Sequence, residues 1–498
     1  MDINEIRQIR LAKLKNLKDK GLSPYGKAFE RSQSVEAVLN DFVEGRQVVL
    51  AGRIMANRKH GKVHFLDLRD QTAKIQLFVK ADHLGQENFG ILQDLDIGDI
   101  VGIEGELFKT KTGEKSVRVR MLTILSKALL SLPEKWHGLK DVELRYRQRY
   151  LDVIANPQVR EVFLARSRII SLIRNYLNER HFLEVETPML QPQAGGARGR
   201  PFKTKHNTYD MDVFLRIAPE LYLKRLLVGG FERIFELNRS FRNEGISPRH
   251  NPEFTMLEVY EAYSDCDGMM KLTEEMVSSV VKEMTGAFKV TYQGATIDFT
   301  PPWKRRSFAE VVKEKFDIDP GDDAAAMLDK VRKVKGSKVV IDTLTRSAVM
   351  KIVEDLLDEE ASLDPIFFTD YFTFLCPLAK TVPGNPHISQ RFECFIAGLE
   401  VANAYSELND PQEQQTRLSE DLNDDVETGN REIDIDFIHA LEYGMPPAGG
   451  LGIGIDRLVM ILTDSPSIRD VILFPLLKPQ TESGHKGSEL PSHSEEKH

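Results

Sequence analysis

Hydrophobic positions change their period along the chain, and each change marks a boundary. Ile3, Ile6, Ile9, Leu11, Leu14 and Leu17 recur at nearly helical spacing among basic residues until Gly21 and Pro24, predicting an exposed amphipathic helix within residues 1–30. From Val48 to Leu125 the pattern shortens to alternating runs, "VVLAGRIMANR", "VHFLDLRD", "KIQLFVK", "DIVGIEGELFKT" and "SVRVRMLTIL", separated by turn residues such as "KTGEK". Alternation sends successive side chains to opposite sheet faces, so residues 31–135 read as a small antiparallel barrel. Residues 136–157 then read as a hinge and a basic helical connector.

A helical period returns in "QVREVFLARSRIISLIRNYLNERHF" and runs into "LEVETPML", where Pro188 ends the regular pattern. A helix is expected over 219–229, strands near 232–244 and 253–263, and a charged, mostly helical insertion over about 303–363. Residues 158–478 are therefore expected to form one large α+β domain. The polar stretch after it, "QTESGHKGSELPSHSEEKH", predicts a disordered tail over 479–498.

Composition narrows the class. A chain of 498 residues exceeds one hydrophobic core. It has no apolar run near the ~20 residues of a membrane helix, and its N-terminal segment lacks the h-region of a secretory signal. A soluble, cytoplasmic protein without a membrane partner is expected. Cys266, Cys376 and Cys394 are far apart, with neither CxxC nor HExxH, which argues against a zinc site or a disulfide framework. The net charge of −9 hides an asymmetry: residues 1–150 carry 27 Lys and Arg against 20 Asp and Glu, and the remainder 40 against 56. A polyanion would meet the basic front first.

A five-stranded barrel of this size reads as an OB-fold, which binds oligonucleotides on one face. Phe65 and Gln76 fall on adjacent predicted strands near Arg58, Lys59 and Lys62, giving an aromatic platform, a base-edge amide and phosphate-seeking cations. In "FRNEGISPRHNPEF", Arg242 and Glu244 are expected on one strand face. Phe254, Met256, Glu258 and Tyr260 are expected on a face of its partner, with Arg249 and His250 between. Guanidinium forks and a flat ring suit a nucleotide. "RFECFIAGLEVANAYSELND" adds Glu393, Glu400, Asn403, Tyr405 and Glu407 to strand-like sequence, where carboxylates need a cation such as Mg²⁺ or an amine. Glu393 and Glu400 differ in strand parity, so their convergence requires a kink near Gly398. In "GGLGIGIDRLVMIL", Gly450, Gly452 and Gly454 leave one strand face open, with Arg457 in the first turn of the next helix.

These stretches together resemble the class II aminoacyl-tRNA synthetases: "LEVETPML" is similar to their first motif, "FRNEGISPRHNPEF" to the second and "GLGIGIDR" to the third. The likeness extends over about residues 1–477. It is nearest to the bacterial-type lysyl-tRNA synthetases, through "RIAPELYLKRLLVGGFERIFELNRSFRNEGIS" and "ANAYSELNDP". The resemblance implies an N-terminal OB-fold anticodon domain, an antiparallel catalytic sheet flanked by helices, a homodimer, and tRNA(Lys), ATP and L-lysine as substrates. It also implies that Arg242 and Arg457 are catalytic, holding the α- and γ-phosphates. Phe254 stacks on adenine, and Glu244, Arg249, His250 and Asn251 complete the ATP set. Glu393 and Glu400 hold Mg²⁺. Glu258, Tyr260 and Glu407 address the lysine side chain, with Asn403 in the same pocket, and Glu220 and Gly196 serve the amino-group end. Arg58, Phe65, Gln76 and Glu114 read the anticodon. Leu399 stands where some relatives carry Arg. Competing readings are a lysyltransferase acting on a translation factor, whose members lack the barrel, an aspartyl or asparaginyl enzyme, and a non-catalytic RNA-binding regulator.

Overall fold

A computed structural model of the chain describes residues 3–479 apart from 62, 85, 134–138, 337, 338, 340, 342, 359–361 and 425–431. The expected tail beyond 479, and Lys62, lie outside the described residues. The chain divides into two compact units, Met1–Lys140 and Asp141–His498.

In the first unit, strands β1 (Gln47–His60), β2 (Val63–Arg69), β3 (Lys74–Lys80), β4 (Ile100–Lys109) and β5 (Lys115–Ser126) close a barrel in the order β1-β2-β3-β5-β4. The alternation works as expected on β2, where Leu66 and Leu68 join the core while Phe65 remains half-buried on the other face. The helix Ile3–Asp19 is less free than its pattern suggests. Its Leu17 is fully buried in the barrel core, and Arg10 donates to the carbonyls of Ile97, Ala128 and Leu130. Beneath it, the fully buried Lys127 ammonium pairs with Asp99 at 2.9 Å and with Asp96 at 2.6 Å.

The second unit is built on a nine-stranded sheet. Its main path runs Lys304–Ser307, Ile366–Phe372, Asn385–Ile396, Leu399–Ser406, Ala448–Gly454, Glu253–Ala262, Arg233–Phe241 and Leu183–Glu184. The sheet is antiparallel except at its edges, where Lys304–Ser307 and Leu183–Glu184 pair in parallel, so the expected antiparallel sheet is a mixed one. The helices Pro157–Asn178, Cys266–Thr285 and Ile455–Leu462 contribute to one continuous core with these strands. Met269, Met276, Val277, Val280 and Val281 keep one face of the Cys266–Thr285 helix apolar, and Asp265 caps its start by accepting from the Gly268 amide.

Two segments differ from the sequence pattern. The expected connector over 136–157 is folded into the second unit from Asp141 onward. Its Arg149 guanidinium is buried, paired with Asp152 at 2.7 Å and bonded to the carbonyls of Arg469 and Leu473. The expected insertion begins with a strand of the main sheet. Its helices Phe308–Phe316, Ala324–Lys335 and Arg346–Asp358 share a core with Tyr371 and Phe372. Charged surface residues masked both attachments in the sequence.

Removing the cation from a buried pair strands its partner's charge. Lys127→Met is expected to destabilise the barrel by about 3 kcal/mol, read as a lowered urea midpoint, whereas Lys59→Met at the exposed barrel surface should leave the midpoint within experimental scatter.

Candidate active site

The central strands carry a cavity of about 510 Å³ on one face, walled in part by the helices Glu220–Val228 and Pro411–Asp424. Its floor is set by register. Glu393, Asn403, Gly452 and Glu258 are successive cross-strand neighbours on four adjacent strands, and Arg391, Tyr405, Gly450 and Tyr260 form the next row. The glycines fall in the middle of each row, where side chains would fill the cavity. A Cβ at position 450 would lie 1.8 Å from Glu407 Oε1 and 2.7 Å from the Tyr260 ring.

Most of the residues singled out from the sequence line this cavity: Gly196, Glu220, Arg242, Glu244, Arg249, His250, Asn251, Phe254, Glu258, Tyr260, Glu393, Glu400, Asn403 and Arg457. Three details differ from expectation. The first motif-two strand ends at Phe241, so Arg242 and Glu244 project from the following loop, with Arg242 N bonded to Pro252 O. Glu393 and Glu400 reach the same cavity because the ladder slips between Cys394 and Phe395, leaving Val401 as an extra residue. A β-bulge does this, and no kink at Gly398 is needed. Glu407 is not among the residues open to the cavity; it is fully buried, with Oε1 on the cavity face of Gly450, where a side chain would begin.

One half of the cavity suits a polyanion carrying a flat ring. The Arg242 guanidinium lies 5.2 Å from the Phe254 ring centroid, and its buried Nε has no hydrogen-bond partner. Burial lowers its pKa, so an anion would relieve it. Arg457 donates to the Glu400 carbonyl at 2.6 Å, to its carboxylate at 3.1 Å, and to His250 Nε2 at 3.2 Å. His250 Nδ1 lies 2.9 Å from Ser247 Oγ, and burial beside Arg457 lowers the imidazole pKa. A neutral ring with Nε2 as acceptor satisfies both contacts. Asn251 donates to the Glu253 carbonyl while its buried Oδ1 lacks a partner. Glu393 is held by Arg391 and by the Tyr371 hydroxyl at 2.8 Å. Glu393 and Glu400 both line the cavity, and their carboxylates, paired here with Arg391 and Arg457, are hard-oxygen donors of the kind Mg²⁺ takes.

The other half is acidic. Glu258 is buried, and burial pushes its carboxyl up to about 8, with the Tyr260 hydroxyl donating to it at 3.2 Å. Among the described residues it has no ion-pair partner. Glu220 Oε1 accepts from the Tyr405 hydroxyl at 2.5 Å and pairs with Lys224 at 2.8 Å; Lys224 also meets Glu407 Oε2 at 2.5 Å. Sequence reasoning gave no role to Lys224 and Tyr405, although "ELYLK" places Glu220 and Lys224 one helical turn apart and Tyr405 alternates with Asn403 and Glu407.

On the barrel, Phe65 packs edge-on to Phe78 at 5.5 Å and Phe78 to Phe108 at 5.7 Å, with Arg118 over the Phe108 ring at 4.8 Å. Arg58 pairs with Asp67 at 2.7 Å and donates to Gln76 Oε1, while the Gln76 amide donates to Ser116. The Gln76 amide is thus engaged within the barrel. Glu114 is exposed and adds to the field that raises the Arg58 pKa after its bond to Asp67. Phe65, Phe78 and Phe108 thus form a half-buried row of edge-on rings with Arg118 over one end.

An OB-fold nucleic-acid-binding family matches residues 48–125, and the class II tRNA synthetases of the D, K and N group match residues 141–478. The chain belongs to these class II synthetases. Among its relatives, the lysine–tRNA ligase of Pelotomaculum thermopropionicum is 52% identical over 487 residues, spanning 96% of each chain. That of Moorella thermoacetica is 52% identical over 485 residues, spanning 96% of this chain and 99% of the relative. That of Clostridium perfringens is 48% identical over 488 residues, spanning 96% and 97%.

The raised Glu258 pKa carries a sign. The folded value of about 8 exceeds the usual 4.5, so its contribution to stability is present below the unfolded pKa and is lost as pH rises through about 8. Glu258→Gln is expected to flatten part of the decline in Tm of the ligand-free protein between pH 5.5 and 8.5. Parallel melting curves for both proteins across that range would contradict the placement of Glu258.

Proposed function

We propose that the protein is a lysine–tRNA ligase that activates L-lysine with ATP and transfers it to the 3′-terminal adenosine of tRNA(Lys). One observation carries the specificity. Beside the half lined by Arg242 and Arg457, the carboxylates of Glu220, Glu258 and Glu407 converge on one buried wall, and Lys224 is the only side-chain cation ion-paired with any of them among the described residues. A second ammonium is the ligand that such a wall accommodates.

In the first step the lysine carboxylate attacks the α-phosphate of ATP, and pyrophosphate leaves. The nucleophile is already ionised, so no general base is required and catalysis is positioning and charge stabilisation. Arg242 holds the α-phosphate as charge develops, and Arg457 the γ-phosphate. Phe254 stacks on adenine, with Glu244, Arg249, His250 and Asn251 completing the nucleotide contacts. Glu393 and Glu400 would hold Mg²⁺, which would supply positive charge to the phosphates. Glu258, Tyr260 and Glu407 address the ε-ammonium, and Gly196, Glu220 and Asn403 orient the backbone end. In the second step the terminal ribose hydroxyl attacks the adenylate carbonyl and AMP leaves. The barrel reads the anticodon with Arg58, Phe65, Gln76 and Glu114.

A cytoplasmic homodimer fits this reading. No helix among the described residues is long and apolar enough to cross a membrane. Leu183, Met189, Leu190 and Met211, in and beside the first motif, present exposed apolar side chains suited to a second copy.

ATP–pyrophosphate exchange with each of the twenty amino acids, without tRNA, tests the proposal. Exchange is expected with lysine, dependent on Mg²⁺, and reduced about a hundredfold or more in Arg242→Ala. Phe65→Ala is expected to leave exchange intact and to raise the KM for tRNA. Exchange with no amino acid would leave an RNA-binding regulator as the better description.

A further inference from the structure

Lys224 is a costly residue to place where it stands. Its ammonium is fully buried on the helix Glu220–Val228, with the rings of Tyr405 and Phe437 5.5 and 5.9 Å away. Replacing such an ion by an apolar side chain is often neutral or favourable for stability when its partners are replaced too, so stability alone does not account for it. Its contacts divide two carboxylates in the same manner. Lys224 takes Oε1 of Glu220, together with the Tyr405 hydroxyl, and Glu220 lines the cavity. It is ion-paired at 2.5 Å with Oε2 of Glu407, neither of whose oxygens meets hydrogen-bond geometry, and the other oxygen, Oε1, stands where a side chain at Gly450 would begin.

We propose that Lys224 is a positioning residue for amino-acid specificity, an internal ammonium that fixes one oxygen each of Glu220 and Glu407 and sets the pocket to admit one further ammonium. The titratable groups gathered here are Glu220 on its own helix, Glu258 and Tyr260 on the Glu253–Ala262 strand, Tyr405 on the Leu399–Ser406 strand beyond Ala448–Gly454, and Glu407 just past its end. Without Lys224 three carboxylates would crowd one dry pocket. They would hold more shared protons than with Lys224 present, and an incoming ammonium would have to displace them from less fixed carboxylates. The inference deepens the lysine-activation reading and rests on it.

The test compares wild type with Lys224→Met in ATP–pyrophosphate exchange from pH 6 to 9.5, measuring KM for lysine and for ATP separately. The variant is expected to raise the lysine KM about tenfold, to leave the ATP KM within about twofold, and to move the acid limb of kcat/KM for lysine upward by roughly one pH unit. Tyr405→Phe keeps every charge and removes one donor from Glu220; it is expected to raise the lysine KM several-fold with the acid limb in place. If Lys224→Met does not fold, an unchanged lysine KM in Tyr405→Phe overturns the proposal. A folded Lys224→Met with the wild-type lysine KM and acid limb, or with equal losses for lysine and ATP, overturns it as well. Failure of the underlying reading looks different: the wild-type protein itself would not exchange with lysine.

Discussion

The burial of carboxylates on an otherwise apolar sheet constrains everything around the catalytic cavity. An ionised carboxylate out of water needs a cation or several donors, and without them it keeps its proton. The protein gives Glu393 and Glu400 their arginines, and gives Glu220 and Glu407 a shared lysine. Glu258 receives a tyrosine hydroxyl and is driven up to about 8, and burial raises the Glu407 carboxyl as well against the pull of Lys224. That unevenness separates the cavity into a half balanced for a nucleotide and a half short of one positive charge.

The sheet makes the arrangement possible because cross-strand rows fix side chains without relying on loops. Glu393, Asn403, Gly452 and Glu258 keep their spacing as long as the ladder holds, and the ladder is anchored on its far face by the core around Met269, Phe367 and Ile453. Arg166, on the Pro157–Asn178 helix, ties this frame to the phosphate side. It pairs with Asp456 at 2.6 Å and donates to Thr255, and Asp456 also accepts from the Thr255 amide. Phe254 and Arg457 are the immediate neighbours of those residues in sequence, so the position of both is set by one buried junction.

Much of this was legible in the sequence because it depends on period and spacing. Alternation marked the barrel strands and the pocket-facing row Phe254, Met256, Glu258 and Tyr260, and three motifs in order identified the family. What escaped depends on events that alternation does not encode. The bulge at Val401 reverses parity within one strand pair. The strand at Lys304–Ser307 hides in charged sequence, because an edge strand buries little. Lys224 reads as an ordinary surface lysine in a helical repeat until Glu407, 183 residues later, is placed beside it. The engagement of Gln76 with Ser116 and Arg58 likewise depends on a barrel closure that joins β3 to β5.

The central claim is that the cavity lacks one positive charge which lysine supplies, and proton counting tests it most directly. Lysine titrated calorimetrically at pH 7 into the ligand-free protein, in buffers of different ionisation enthalpy, reports the protons exchanged on binding. The Glu258 carboxyl, held near 8, is mostly protonated at that pH and ionises when an ammonium arrives, so release of at least about one proton per lysine bound is predicted, Glu407 being raised by burial as well. Binding with no proton release would contradict the account, because the acidic wall would then be ionised before its partner comes.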